Sequence, residues 1–117
     1  MSKIIEGNIL NVNDGILLHQ VNCLGTMGAG VALDLRKKYS NLYPEYVKRV
    51  KSIPEKERKD KLLGSIQLIK VAPNLFVGNS FTQYYTGTDK NYTYEDFLIS
   101  NIEMMSTLAY GKYTIYV

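Results

Sequence analysis

The 117 residues suffice for one domain and leave no room for two, and 45% hydrophobic with 21% charged residues is the balance of a soluble globular protein. One cysteine, Cys23, excludes an internal disulfide and fits a reducing compartment, and no apolar run is long enough to cross a bilayer or serve as a signal peptide, so a cytoplasmic chain with no membrane partner is expected. The net charge of +3 would help attract a diphosphate or a nucleic acid but identifies neither.

In chain order, Lys3 to Glu6 is a short apolar stretch ending at Gly7, and it reads as a strand. Asn11 to Gly15 is a turn, rich in Asn, Asp and Gly. Ile16 to Asn22 is nearly continuously apolar over strand length, as suits a strand buried on both faces of a helix-flanked sheet. The glycine-rich segment Leu24 to Gly30 follows. Val31 to Tyr39 then reads as a helix, with Val31, Leu35 and Tyr39 at four-residue spacing and Arg36, Lys37 and Lys38 late in it, where cations oppose the dipole favourably. Pro44 marks the start of a second helix running to Ser52. Ile53 to Lys61 mixes both charge signs and reads as a solvated surface connection rather than an electropositive docking patch.

Ser65 to Val71 alternates apolar and polar residues, and a second strand begins at Asn74, with Ala72-Pro73-Asn74 as the hairpin turn. Tyr84 to Asn91 reads as a polar, aromatic loop. Thr93 caps a helix to Leu108 whose apolar stripe is Ile99, Ile102, Met105 and Leu108. Lys112 to Val117 is rich in β-formers. The order β-β-α-α-β-β-α-β predicts a mixed α/β fold with helices covering a sheet.

A buried strand, a glycine-rich loop and a helix in succession make a physically sensible phosphate site. Glycines admit close approach of the backbone, and the first helical amides are unpaired at the positive end of the dipole. Gly25, Gly28 and Gly30 are placed to serve. The segment is neither a Walker A loop nor Gly-x-Gly-x-x-Gly, so on its own it fits anion binding or a structural strand-to-helix turn.

Four stretches together resemble a known family. Gly7-Asn8-Ile9, then His19-Gln-Val-Asn22-Cys-Leu-Gly-Thr-Met27-Gly28-Ala-Gly30-Val-Ala32, resembles the opening of a macro domain, an ADP-ribose-binding module. The likeness continues through Phe76-Val-Gly-Asn-Ser-Phe-Thr-Gln83 and Tyr92-Thr-Tyr-Glu95, in the family's order. It implies a three-layer α/β/α fold around a central mixed sheet. Asn8 and Ile9 fall where the family holds adenine, Asn8 standing where most members have Asp. Asn22 matches the asparagine that touches the distal ribose. Gly28, Ala29, Gly30 and Val31 match the backbone around that ribose and the diphosphate. Phe81, Gln83 and the Tyr84-Tyr85 pair lie at a strand end near the ligand, although surface packing accounts for the tyrosines equally simply.

His19 is the only histidine. It reads either as a satisfied core residue or, through the resemblance, as the catalytic histidine of the branch that dephosphorylates ADP-ribose 1″-phosphate. An imidazole near pKa 6.5 suits proton transfer at neutral pH. A second branch removes ADP-ribose with a lysine at the end of the fourth strand, the position near Phe81. No lysine stands between Lys70 and Lys90, which argues against that route. Cys23 reads as a buried structural thiol. One histidine and one cysteine make a poor metal ligand set, and no cofactor is implied.

The family continues past the strand at Tyr113 to Val117 with a second glycine-rich loop, a last helix and usually a last strand. The resemblance therefore implies a C-terminally incomplete domain with a partly bare sheet face open to self-association. The leading expectation is an ADP-ribose-binding domain with ADP-ribose 1″-phosphate phosphatase activity in its intact form. The alternatives are a non-catalytic ADP-ribose reader, an ADP-ribosyl hydrolase, and a basic single-stranded RNA-binding domain with tyrosines as stacking platforms. A nucleic-acid partner is the least expected of these.

Overall fold

The computed structural model describes residues 13–28 and 30–83, together with the two-residue strands Ile4–Ile5 and Ile115–Tyr116. Its strands are β1 (Ile4–Ile5), β2 (Gly15–Asn22), β3 (Ile66–Ala72), β4 (Leu75–Gln83) and β5 (Ile115–Tyr116). They form one mixed sheet in the order β1-β5-β2-β4-β3. β2 runs parallel to β4 and to β5, β1 runs parallel to β5, and β3 is antiparallel to β4. This position between two neighbours explains the continuous apolar run of β2. Leu17 and Val21 enter the core on one face, while Ile16 and Leu18 are buried on the other. Ala72-Pro73-Asn74 makes the expected hairpin turn, and the β3–β4 register shifts between Lys70 and Ala72.

The helices are α1 (Gly30–Lys38), α2 (Leu42–Lys51) and α3 (Arg58–Lys61), the last preceded by a 3₁₀ turn at Glu55–Glu57. One core joins Leu35 of α1 and Leu42, Tyr46 and Val50 of α2 to Leu17, Val21, Ile69, Val77 and Phe81 of the sheet. Leu42, Tyr46 and Val50 recur every four residues, so α2 presents one apolar stripe while Lys48, Arg49 and Lys51 stay exposed.

Three boundaries differ from the sequence reading. α2 begins at Leu42, two residues before Pro44. Proline is tolerated anywhere in a first turn, because an amide there has no intrahelical acceptor to lose. In α1 only Leu35 of the expected stripe is buried. Tyr39 falls just past the helix end, and Val31 is 49% exposed. The 53–61 segment lies on the surface as expected but coils into the 3₁₀ turn and α3, which carry no buried residue and hence no apolar periodicity to reveal them. The expected helix from Thr93 to Leu108 lies outside the described residues. No helix among the described residues is long and apolar enough to cross a membrane.

Candidate functional site

At the carboxyl end of β2 the chain leaves the sheet, crosses residues 23–28 and enters α1. The Asn22 side chain shapes this crossing. Its Oδ1 accepts the amide of Leu24 at 2.9 Å and that of Thr26 at 3.4 Å. Its Nδ2 donates to the Thr26 carbonyl at 2.8 Å and to the Thr26 hydroxyl at 3.0 Å. From α2, the Tyr46 hydroxyl reaches the Asn22 carbonyl at 2.7 Å and Asn22 Oδ1 at 2.8 Å. The Tyr43 hydroxyl donates to the Gly25 carbonyl at 3.0 Å, and the Arg36 guanidinium lies 3.6 Å from the Tyr43 ring centre. Gly25 has φ +89°, a left-handed conformation that glycine alone adopts without strain.

Beyond this knot the loop opens. Met27 is buried and anchors the segment, while Gly28 and Gly30 are exposed. A Cβ added at either glycine would meet nothing within 4 Å, so both backbones face free space. Gly30 has φ +61° and begins α1, whose first amides lack intrahelical partners and carry the positive end of the dipole. Val31 presents apolar surface beside them. The result is an open, amide-bearing surface at the carboxyl end of a parallel strand, the position at which open α/β sheets take ligands.

The structure brings Asn22, Gly28, Gly30 and Val31 together. Asn8, Ile9, Ala29 and the Tyr84-Tyr85 pair lie outside the described residues, as does the side chain of Gln83. Phe81 has no exposed surface. Its ring stacks on Tyr46 with centroids 5.9 Å apart, so it supports the loop from below and is not open to a ligand.

His19 sits mid-strand, three residues before Asn22 and on the face covered by α2. It is 6% exposed and opposite Asn79 in the β2–β4 register. Its Nε2 lies 2.6 Å from Asn79 Oδ1, Asn79 Nδ2 donates to Gln67 Oε1 at 3.2 Å, and Gln67 Nε2 donates to the Glu45 carbonyl at 3.0 Å. The last acceptor fixes the whole relay. A carbonyl can only accept, so each amide is oriented in turn and His19 Nε2 must carry the proton. Nδ1 is then a bare lone pair, buried and without a partner. Burial lowers the His19 pKa to about 4, against a smaller upward effect of the Asn79 hydrogen bond.

Cys23 is fully buried, as expected. Burial pushes its thiol up to about 12, with the nearby Arg58 charge opposing weakly, so it carries no thiolate at neutral pH. No group of three or more His, Cys, Asp or Glu residues among the described residues is arranged to hold a metal.

Sequence reasoning missed Tyr43, Tyr46 and Thr26. The two tyrosines stand three residues apart in a lysine-rich helix, a spacing that places both on one face. That signal was available, but it does not say which loop the hydroxyls reach.

No protein-family model matches the chain. Over 46 residues it is 36% identical to the DNA ADP-ribosyl glycohydrolase of Mycobacterium tuberculosis, a match spanning 39% of this chain and 13% of that protein. Over 57 residues it is 35% identical to the ADP-ribose 1″-phosphate phosphatase of Aspergillus oryzae, spanning 45% of this chain and 28% of that protein. Among solved structures, the macrodomain of Thermus aquaticus DarG is 26% identical with a TM-score of 0.67, over 92% of this chain and 70% of that one. Thermosipho africanus DarTG, solved in complex with ADP-ribose, is 15% identical with a TM-score of 0.72, over 99% of this chain and 33% of that one. With a mixed α/β sheet of this topology, and a likeness to the Thermus aquaticus domain over 92% of its own residues, the chain has the macrodomain fold.

Proposed function

We propose that this macrodomain binds ADP-ribose or a derivative of it, with the distal ribose and diphosphate against Gly28, Ala29, Gly30 and Val31. The observation that carries this reading is the open glycine backbone leading into the positive end of α1, on a fold that Thermosipho africanus DarTG shares in its ADP-ribose complex. Adenine falls to Asn8 and Ile9, with the Asn8 carbonyl accepting from the adenine amino group where a carboxylate is usual. Gln83, at the end of β4, is assigned to the same ligand on the family resemblance. The test is calorimetry of ADP-ribose into the 117-residue chain, with AMP as control. Micromolar binding of ADP-ribose and none of AMP is expected. A folded chain that gives no heat with ADP-ribose overturns the reading.

The likeness to the Aspergillus oryzae phosphatase favours a second reading, hydrolysis of ADP-ribose 1″-phosphate with His19 as the acid–base group. His19→Gln then loses turnover and keeps its affinity for ADP-ribose. Equal turnover by the variant assigns His19 to the fold alone. Hydrolysis by a strand-end lysine finds no residue for the role, because β4 ends Phe81-Thr82-Gln83.

A further inference from the structure

We infer that helices α1 to α3 form a surface that binds a single strand of nucleic acid, with phosphates on their lysines and arginines and bases stacked on Tyr39 and on the Arg36–Tyr43 pair. The inference goes beyond the ADP-ribose-binding reading and uses a different surface, one that borders the ligand loop.

The mild charge of the whole chain, +3, conceals a separation. Residues 34–61 hold ten of the 14 Lys and Arg but five of the 11 Asp and Glu, a net of +5, so the rest of the chain carries −2. Taken one run at a time, these charges read as ordinary solvated surface. The fold collects the runs. Leu35 of α1, Leu42, Tyr46 and Val50 of α2, and Leu62 just past α3 enter one core, so the three helices lie over the same face of the sheet. Their polar sides make the outer surface of that layer. Arg36 of α1 reaches across to α2, its guanidinium 3.6 Å from the Tyr43 ring centre. Lys37, Lys48, Arg49 and Lys51 are exposed, and none is held in an ion pair among the described residues. Unpaired cations gathered in this way attract a phosphate backbone, which releases its own counterions on contact.

The aromatic residues choose among polyanions. Tyr39 and Tyr43 are partly exposed among these cations, with Lys38 Nζ 5.5 Å from the Tyr39 ring centre and Arg36 on Tyr43. Unpaired bases stack on aromatic faces and on guanidinium planes, and this surface presents both. A duplex keeps its bases paired and would use the phosphate contacts alone. An acidic protein or an anionic vesicle has no base to stack. The layer also meets the ligand loop at its start. The Tyr43 hydroxyl donates to the Gly25 carbonyl, and Arg58 Nη1 lies 3.5 Å from the Cys23 carbonyl. A strand held on the helices therefore runs beside that loop.

Fluorescence anisotropy tests this on the full chain, with labelled single strands of about 12 nucleotides, one DNA and one RNA, at about 50 to 200 mM salt. The expected result is a dissociation constant on the order of 10⁻⁵ M at low salt for at least one strand, with log K falling against log salt at a slope of about −3, the mark of about four phosphates on cations. Lys48→Gln combined with Lys51→Gln should flatten that slope by about 1.4, while the circular dichroism and the ADP-ribose affinity stay parental, since both side chains are exposed. An abasic strand of the same length keeps the phosphates and lacks the bases, and should bind roughly tenfold more weakly. No anisotropy change with either strand at low salt overturns the inference, as does a slope that the double variant leaves unchanged. An abasic strand that binds as tightly as the intact one removes the bases from the contact and overturns it too, as does uptake of phosphatidylserine vesicles without uptake of the strands. A chain that binds the strands but takes up no ADP-ribose keeps this inference and ends the proposed function, and the reverse result does the opposite.

Discussion

Acid should weaken this fold through a single side chain. His19 is buried in a relay that fixes its proton on Nε2 and leaves Nδ1 facing no acceptor, so the second proton has no place in the folded chain. Burial holds its pKa at about 4, against 6.5 in an exposed histidine. Between these values the unfolded chain binds a proton that the folded chain refuses, so stability is fully present above pH 6.5 and drains away as the pH falls toward 4. At about 1.4 kcal/mol per pH unit, the gap amounts to about 3 kcal/mol, a large share of the roughly 5–15 kcal/mol that holds a domain together. Urea unfolding followed by circular dichroism at pH 7.5, 6, 5 and 4.5 measures the loss. His19→Gln, which keeps a donor near Asn79 but cannot titrate, supplies the baseline and cancels the carboxylates. The parent should lose most of its excess pH dependence by pH 4.5. Since the chain has one histidine, no second imidazole can mimic the effect. Parallel pH profiles for parent and variant, or an imidazole resonance titrating near 6.5 in the folded protein, would refute the argument.

Two further outcomes follow from the loop. Gly28→Ala should leave unfolding free energy within about 0.5 kcal/mol of the parent, since an added Cβ meets no atom within 4 Å, while it lowers ADP-ribose affinity by filling the cradle; calorimetry beside urea titration separates the two. Cys23 should resist a thiol-specific reagent at pH 8 in the folded chain and react at the ordinary rate in urea, because it is fully buried and its thiol is pushed up to about 12; fast labelling without denaturant would contradict the placement of the loop.

What was legible in the sequence was what periodicity and turn chemistry encode. The apolar run of β2, the Ala72-Pro73-Asn74 hairpin and the glycine segment before α1 are each local, and each appears where the pattern put it. The α3 turn was not legible, since it buries nothing and so leaves no stripe. The partners of polar side chains were not legible either. Asn22 carries the family's motif, but the bonds its carboxamide makes to the loop depend on Thr26 and on a tyrosine 24 residues away, and no spacing rule connects them. His19 posed the same difficulty. Its neighbour in space is Asn79, 60 residues on, and only the sheet register brings the two opposite each other.

These two polar arrangements meet on one helix. Glu45 and Tyr46 are adjacent in α2. The carbonyl of Glu45 ends the relay that begins at His19, while the hydroxyl of Tyr46 holds the end of β2. Any shift of α2 along the sheet must therefore break the relay, the loop anchor or both; the Asn22 oxygens that hold the Tyr46 hydroxyl are buried, where an unmade bond costs about 1–3 kcal/mol, whereas the Gln67–Glu45 bond is exposed and contributes less. The apolar stripe of Leu42, Tyr46 and Val50 supplies most of the attraction between helix and sheet, but apolar contact is non-directional and would tolerate a slide. The hydrogen bonds do not tolerate it. The amides of Leu24 and Thr26 are turned inward to Asn22 by this arrangement, and Gly28 and Gly30 are left facing outward. The division between a closed part and an open part of the crossing is thus set by α2, through Tyr43 and Tyr46.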